Sequence, residues 1–506
     1  MRTHALTHAP ILPPPSPRQV VFRHGARSPL TDAFYGDVPW ACNESYAGAA
    51  LDIVNARGGA PPPLVDPAPP RLAGGCPQGT LTQRGYRMAL ELGAELRRRY
   101  VSDLGLLPER YKEGSVFAHT TSYRRTIATL RGVLTGLYPG TTGPQRYTVN
   151  ATDEPRSYFY PSNRSCPALA PVISELTAGA NDKEAAAPQE PAAAVRAALG
   201  LGGGGGGGPL QWYRLRDALA CMLAEAPGLR PAALDGALWA LIQRRATDYE
   251  ASIYAPGPWD CPGTAAACRA MLRLSIGPLL WRMLAQMDAA ALLANAGCAP
   301  AGAVAGAAAQ CAQAWGPRLY LYSAHDTTVM PLLSALGHEA REWAPFASHL
   351  ELQLWAAPGG GGRPWVRVLY QGRPLVLQAA GGGGGGGAEE RPGGGGDGAA
   401  RQAASQGGTQ QQEQQQEQKE QQQEQVKRRG LAEQLPAAQA AAAGSAAEPG
   451  SAGSPASAAT SGGSGGWIEL GDLQRRLKGL AVSDSKRRKA CWPAAAEASA
   501  AEVAAS

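Results

Sequence analysis

From about residue 379 to about residue 466 the chain runs through glycine, glutamine, alanine and serine with hardly a large apolar residue, and runs of seven glycines stand at 202–208 and 381–387. Segments of this composition bury too little apolar surface to offset the entropy of ordering them. The folded part of the 506 residues must therefore be assembled from segments on either side of such stretches. That assembly costs little. Loop closure rises by only about 0.6 kcal/mol per doubling of length, and a coil of roughly ninety residues spans about 50 Å, so its ends meet easily. The glutamine-rich run from Gln410 reads as disordered linker in preference to a transient coiled coil.

The remaining composition excludes several classes of function. The net charge of +6 is mild for this length and the basic residues are dispersed. Lys427-Arg428-Arg429 and Lys486-Arg487-Arg488-Lys489 come closest to a nucleic-acid-binding cluster, and both read as solvated charge, so no nucleic-acid partner is expected. Nine cysteines are scattered without the spacing of a zinc site and read as inert or core thiols. No metal and no cofactor is expected. No run of 18 apolar residues occurs, so no membrane-spanning segment is expected. The N-terminus is acid-free and proline-rich and lacks the apolar region of a secretory signal. Sequons at Asn43, Asn150 and Asn163 would suit a secreted glycoprotein, and the compartment stays open.

The pattern of elements predicts an α/β fold: a mixed, largely parallel sheet with helices on both faces, plus an inserted helical cap subdomain. Arg18–Phe22 (RQVVF) reads as a buried strand. Leu81–Tyr100 reads as a helix with Thr82 as N-cap, and Ser115–Ala118 as a short strand followed by a helix to Leu137. Amphipathic helices are expected at Trp239–Ser252 and Ala270–Met287. Arg318–Ser323 is the next buried strand, with a helix at Val329–Leu336. Strands at His349–Trp355 and Pro364–Tyr370 follow, then a helix at Trp467–Leu480. The expected organisation is a flexible segment 1–17, a core at 18–164, and a cap at 165–300 interrupted by a disordered Ala/Gly insertion at 178–208. A second core part at 301–378 precedes the low-complexity insertion 379–466, a C-terminal helical element 467–491 and a tail 492–506.

Chemistry gathers at two strand ends. VFRHGARSPL places Arg23, His24 and Arg27 directly after the first buried strand, with no acidic residue inside the stretch, and AHDTT places His325 and Asp326 after the later one. Unpaired buried cations are costly unless an anion meets them. A phosphoryl group has the matching charge, and its transfer is catalysed mainly by positioning and electrostatic clamping. Arginine forks bind its oxygens in pairs without deprotonating, while Gly25 would let the backbone approach it. His24 is the candidate nucleophile, kept neutral by the guanidinium groups beside it. Asp326 is the candidate general acid, and His325 a donor to a phosphate oxygen. His349 and Ser348, near the expected mouth, read as structural.

QVVFRHGARSPL together with YSAHDTT resembles the histidine acid phosphatase family, branch 2 of the histidine phosphatase superfamily, whose members carry RHGxRxP early and HD late. Five fixed positions give a chance match at about one in ten thousand. The resemblance implies a metal-independent phosphomonoesterase working through a phosphohistidine. It also implies a third arginine clamp, which HTTSYRRT places at Arg125 with Arg124 as fallback; His119 and Ser122 depart from that motif. LTQRGYRMALELGAELRRRYV, RRATDYEASIY and WVRVLYQGRPL are similar to the lysophosphatidic acid phosphatase subgroup. That likeness implies a small phosphomonoester substrate such as a lysophospholipid, and a mitochondrial location with a secretory route still open. A phosphomutase or sugar-phosphatase-like relative is the alternative enzyme, disfavoured by HD. A non-catalytic phosphate-binding scaffold is the alternative outside enzymes. The oligomeric state is not legible.

Overall fold

Every residue of Arg18–Arg23 is buried, and its side chains alternate between two cores. Val20 and Phe22 join one apolar cluster and Val21 joins another. A strand lined on both faces in this way must lie inside a sheet covered on both sides. The computed structural model describes residues 17–30, 38–42, 46–65, 72, 75–140, 145–201, 210–257, 265–295, 316–338, 342–355, 363–375, 377 and 466–492. The chain divides into two units, 1–380 with 462–506 and 381–461, and every described residue belongs to the first. Of the expected segments 1–17, 379–466 and 492–506, all but residues 17, 466 and 492 lie outside the described residues.

In chain order the elements begin with β1 (Arg18–Arg23), β2 (Ala50–Asn55), α1 (Gln83–Arg97), β3 (Val116–Thr121), α2 (Arg124–Leu137) and β4 (Arg146–Thr152). The cap segment follows with α3 (Leu169–Ala186), α4 (Glu190–Ala198), α5 (Trp212–Glu225), α6 (Gly236–Tyr254), α7 (Ala265–Ser275) and α8 (Gly277–Asn295). Then come β5 (Leu319–Ala324), α9 (Asp326–Ala335), β6 (His349–Trp355), β7 (Trp365–Tyr370), β8 (Arg373–Pro374), β9 (Trp467–Glu469), α10 (Leu470–Leu477) and α11 (Asp484–Cys491).

The strands form one mixed sheet in the order β2-β4-β3-β5-β1-β6-β7-β8, with β9 also pairing β7. From β2 to β1 every neighbour is parallel, and from β6 outward the pairs are antiparallel. Helices α1 and α2 cover one face through Leu92, Leu96, Leu130 and Leu134, which share a core with Val20, Phe22, Leu319 and Leu321. On the other face Tyr320, Tyr322 and Ala324 pack with residues of α5, α8, α9 and α10. β1 and β5 thus sit at the centre, and their carboxyl ends open on the same edge.

Several local expectations differ from the structure. Residues 178–198 are not a disordered insertion, because α3 and α4 occupy them. Alanine is the best helix former, so an alanine-rich stretch with scattered leucine and valine still builds helix once a face finds a partner. The expected single helix Ala270–Met287 is two, α7 and α8, divided at Ile276. Pro278 has no N–H for a helical bond, and a Cβ on Gly277 would lie 2.5 Å from the Leu480 carbonyl oxygen. Trp467–Glu469 pairs with β7 as a strand before the helix begins.

The cysteines are not all thiols either. Cys42–Cys76 and Cys166–Cys491 are disulfides, and Cys268 is also disulfide-bonded. Among the described residues Cys221 is free and buried. No described helix is long and apolar enough to cross a membrane.

Candidate active site

β1 and β5 are parallel neighbours in a register that sets Arg23 opposite Ala324, so His24 and His325 leave the sheet side by side. The His24 amide donates to the Ala324 carbonyl at 3.0 Å, and the two imidazoles meet edge to face with centroids 5.6 Å apart. On the far side of β1, Ala347 donates its N–H to the His24 carbonyl at 3.1 Å from a left-handed conformation, φ 58°. Such backbone strain persists only where surrounding contacts enforce it.

Gly25 serves a purpose other than the one its position suggests. A Cβ there would stand 2.1 Å from the carbonyl oxygen of Gly85 in the first turn of α1. The glycine lets α1 pack against the loop and leaves the histidine's backbone rigid.

His24 is buried, and its Nδ1 lies 2.9 Å from the Gly25 carbonyl oxygen. A carbonyl only accepts, so Nδ1 carries the proton and Nε2 keeps its lone pair. Burial, then Arg125, Arg23 and Arg27, hold the ring's pKa well below the ordinary histidine value. His325 has its Nε2 3.1 Å from Thr121 Oγ1, and its Nδ1 faces an Arg125 Nη2 at 3.5 Å. Arginine only donates, so Nδ1 is the lone-pair nitrogen and the Nε2 proton goes to Thr121. Burial and Arg125 likewise keep this ring neutral.

The three arginines are engaged unequally. Arg23 is fully buried, donates to the Ala344 carbonyl at 2.6 Å, and pairs with Asp326 Oδ2 at 2.8 Å. Arg23 is not among the side chains lining the cleft, so it reaches the site through Asp326. Arg27 lines the cleft and grips Asp217 of α5 with both prongs, at 2.8 and 3.1 Å. Arg125 also lines the cleft and has no ion-pair partner among the described residues. It rests 4.4 Å from the Tyr123 ring centroid, and burial with the repulsion of Arg27 lowers its pKa to about 10. This is the cation most in need of an anion. Arg124, the fallback, is exposed and lines a separate pocket.

Asp326 opens α9. Its Oδ2 accepts from Trp343 Nε1 at 2.8 Å as well as from Arg23, and its Oδ1 accepts from the Thr327 amide at 2.9 Å. Burial alone would raise this carboxyl, but Arg23 and Arg27 outweigh it and hold it below the ordinary carboxylate range. Asp217 behaves the same way, with Arg27 prevailing over burial.

The cleft has a volume of about 470 Å³. His24, Arg27, Arg125, His325 and Asp326 face it from the sheet side, and Tyr213, Asp217, Tyr249 and Glu250 face it from the cap helices. Sequence reasoning missed Asp217, Trp343 and Glu250. Asp217 lies 190 residues from its partner, and nothing local marks it. His349 and Ser348 do not line the cleft, as their structural reading expects. His349 instead stands 3.3 Å from Glu351 inside the sheet.

Two neutral imidazoles stand at the carboxyl ends of parallel strands beside more arginines than paired carboxylates, an environment that suits an anion. The sequence matches the description "Histidine phosphatase superfamily (branch 2)" over residues 18–197 and 274–371, more than half of the chain. The chain belongs to that superfamily, and within it to the acid phosphatases.

Among its relatives, lysophosphatidic acid phosphatase type 6 of Mus musculus is 28% identical over 378 residues, covering 71% of this chain and 79% of that protein. A probable acid phosphatase of Schizosaccharomyces pombe is 25% identical over 368 residues, covering 67% and 71%. Among solved structures, a multiple inositol polyphosphate phosphatase of Bifidobacterium longum aligns over 74% of this chain and 90% of its own, with a TM-score of 0.45 and 13% identity.

Proposed function

We propose that this chain hydrolyses phosphomonoesters through a covalent phosphohistidine on His24, without a metal, and that lysophosphatidic acid or a similar monoester is its substrate. The observation that carries the reading is the His24 Nδ1 contact with the Gly25 carbonyl, which leaves Nε2 as the attacking lone pair beside the Arg125 guanidinium. Nε2 bonds to phosphorus as the ester P–O bond breaks, and the leaving alkoxide takes a proton from Asp326. Water then attacks the phosphohistidine, returns a proton to Asp326 and releases phosphate.

With only protein groups around it Asp326 is held ionised by Arg23 and Arg27. A phosphate dianion arriving at Arg125 and Arg27 offsets those cations, so substrate binding itself prepares the acid. The same oxygen, displacing Arg125 from His325 Nδ1, turns that ring into a donor while Thr121 donates to Nε2.

The cleft wall supports a monoester with an apolar part. Tyr160, Tyr213, Tyr254, Ile253, Leu30 and Trp343 line it, and its cations are few for a polyphosphate. The disulfides, with Asn163 exposed in a sequon, support an oxidising compartment.

The test is hydrolysis of p-nitrophenyl phosphate and lysophosphatidic acid at pH 4–8 with and without EDTA, with acid-quenched protein probed for phosphohistidine. Chelator-insensitive turnover and a labelled His24 are expected. Turnover without labelling would exclude the covalent route, and indifference to the lipid would exclude that substrate.

A further inference from the structure

Three carboxyl groups face the cleft, and they are treated in opposite ways. Asp326 and Asp217 each hold an arginine, at 2.8 Å in both cases. Glu250, on α6, lines the same cleft, and its side chain has no hydrogen bond or ion pair among the described residues. Its surroundings explain why. On its own helix it stands between Tyr249 and Tyr254, and from α5 the cleft receives Tyr213, Arg214 and Asp217. α9 contributes Asp326 and Thr327, and α3 contributes Thr177, while Glu184 of α3 is already paired with Arg245 at 2.7 Å. His24, His325, Arg27 and Arg125 face the cleft from the sheet side, but Asp217 occupies both prongs of Arg27, and Arg125 lies over the Tyr123 ring with an Nη2 on His325 Nδ1.

A half-buried carboxyl without a cation, facing two others that are ionised, keeps its proton. Burial, with Asp326 and Asp217 adding to it, pushes Glu250 up to about 8. When neighbouring carboxyls are driven apart in this way they take different tasks.

We propose that Glu250 is a specificity-determining residue, a neutral carboxylic acid on the cap that donates a hydrogen bond to a hydroxyl on the alcohol portion of the ester. This rests on the reading of the site as a phosphomonoester hydrolase. The phosphate is bound by the arginines and His24, so the alcohol projects toward the cap, and Glu250 is the one carboxyl there with its proton to give. An ester whose alcohol carries a free hydroxyl gains from this contact, and an aryl ester does not. A site built to hydrogen-bond a substrate hydroxyl discriminates strongly, because its polar group is left unpaired by the wrong ligand.

The experiment compares glycerol 2-phosphate with p-nitrophenyl phosphate in wild type, Glu250→Leu and Glu250→Gln. The leucine variant is expected to lose about tenfold to thirtyfold in kcat/KM on the glycerol ester, mostly through KM, and under about threefold on the aryl ester. The glutamine variant keeps a donor N–H and stays within about threefold of wild type on both. As pH rises through about 8 the wild-type preference for the glycerol ester falls, while that of Glu250→Gln stays flat. Equal losses on the two esters, or a glutamine variant as impaired as leucine, would overturn the role of Glu250 and leave the phosphatase reading intact. A wild type that turns over neither ester would overturn both.

Discussion

Strand β1 has a buried arginine at each end, and the two ends are completed differently. At its start Arg18 donates to the Leu354 carbonyl and lies 4.7 Å from the Trp355 ring centroid. Next to it the fully buried Glu351 of β6 takes Arg99, the Tyr100 hydroxyl and the Gln353 amide. This network is sealed, and none of these residues lines the cleft. At the other end Arg23, Arg27 and Arg125 face only Asp326 and Asp217 as paired carboxylates, and the surplus cation turns toward the cleft. A buried charge cluster gathered around a carboxylate and closed off from the cleft holds strands together. One that is an acceptor short is a receptor for an anion.

The comparison breaks most sharply at His24. Replacing it with alanine is expected to lower turnover of p-nitrophenyl phosphate by about ten-thousandfold with little change in melting temperature; a variant that kept a tenth of the activity would remove the nucleophile from the account. At the sealed end the effect falls on stability instead. Glu351→Ala leaves Arg99 with Glu95 alone and takes a buried acceptor from the Tyr100 hydroxyl and the Gln353 amide, and is expected to cost about 3–5 kcal/mol in denaturant unfolding, with unchanged kcat in whatever remains folded. Equal stability would show that the network is incidental.

Arg125→Ala should lower kcat/KM about a hundredfold through the loss of a charge-assisted phosphate contact, whereas Arg124→Ala stays within about threefold. Steady-state kinetics on both variants decide which arginine binds. The smallest effect is on pH dependence. Burial would raise Glu351, but His349 and Arg99 lower it to about 2. Its stabilisation is therefore complete above the unfolded value of about 4.3 and is lost as pH falls through about 2. The acid limb of the stability curve should be shallower in Glu351→Gln, and identical limbs would contradict the assignment.

The centre of the fold was legible because β1 and β5 carry short runs of large apolar residues and β6 and β7 repeat them at alternate positions, patterns with few alternatives to a buried strand. β2 and β4 escaped notice: ALDIVN is half-exposed at the sheet edge, and RYTVNAT carries little apolar bulk. The helices α3 and α4 were hidden by a composition that also describes coil. Of the site, His24, Arg27, His325 and Asp326 could be read because each follows a strand directly. The groups that tune them could not. Asp217 and Glu250 come from α5 and α6, which only packing brings over the strand ends, and Trp343 comes from the loop between α9 and β6. The disulfide partners Cys166 and Cys491 lie 325 positions apart, which no local pattern reveals.

That same disulfide gives the chain an unusual tolerance of proteolysis. The bond ties the start of the cap to α11, so the low-complexity insertion falls entirely within the covalent loop that it closes. A protease cutting once between 379 and 465 would produce two polypeptides that still travel as one molecule, with β9 supplied by the second. Nicked protein should run as a single band on a non-reducing gel, part into two after reduction, and retain its phosphatase activity until the bond is broken.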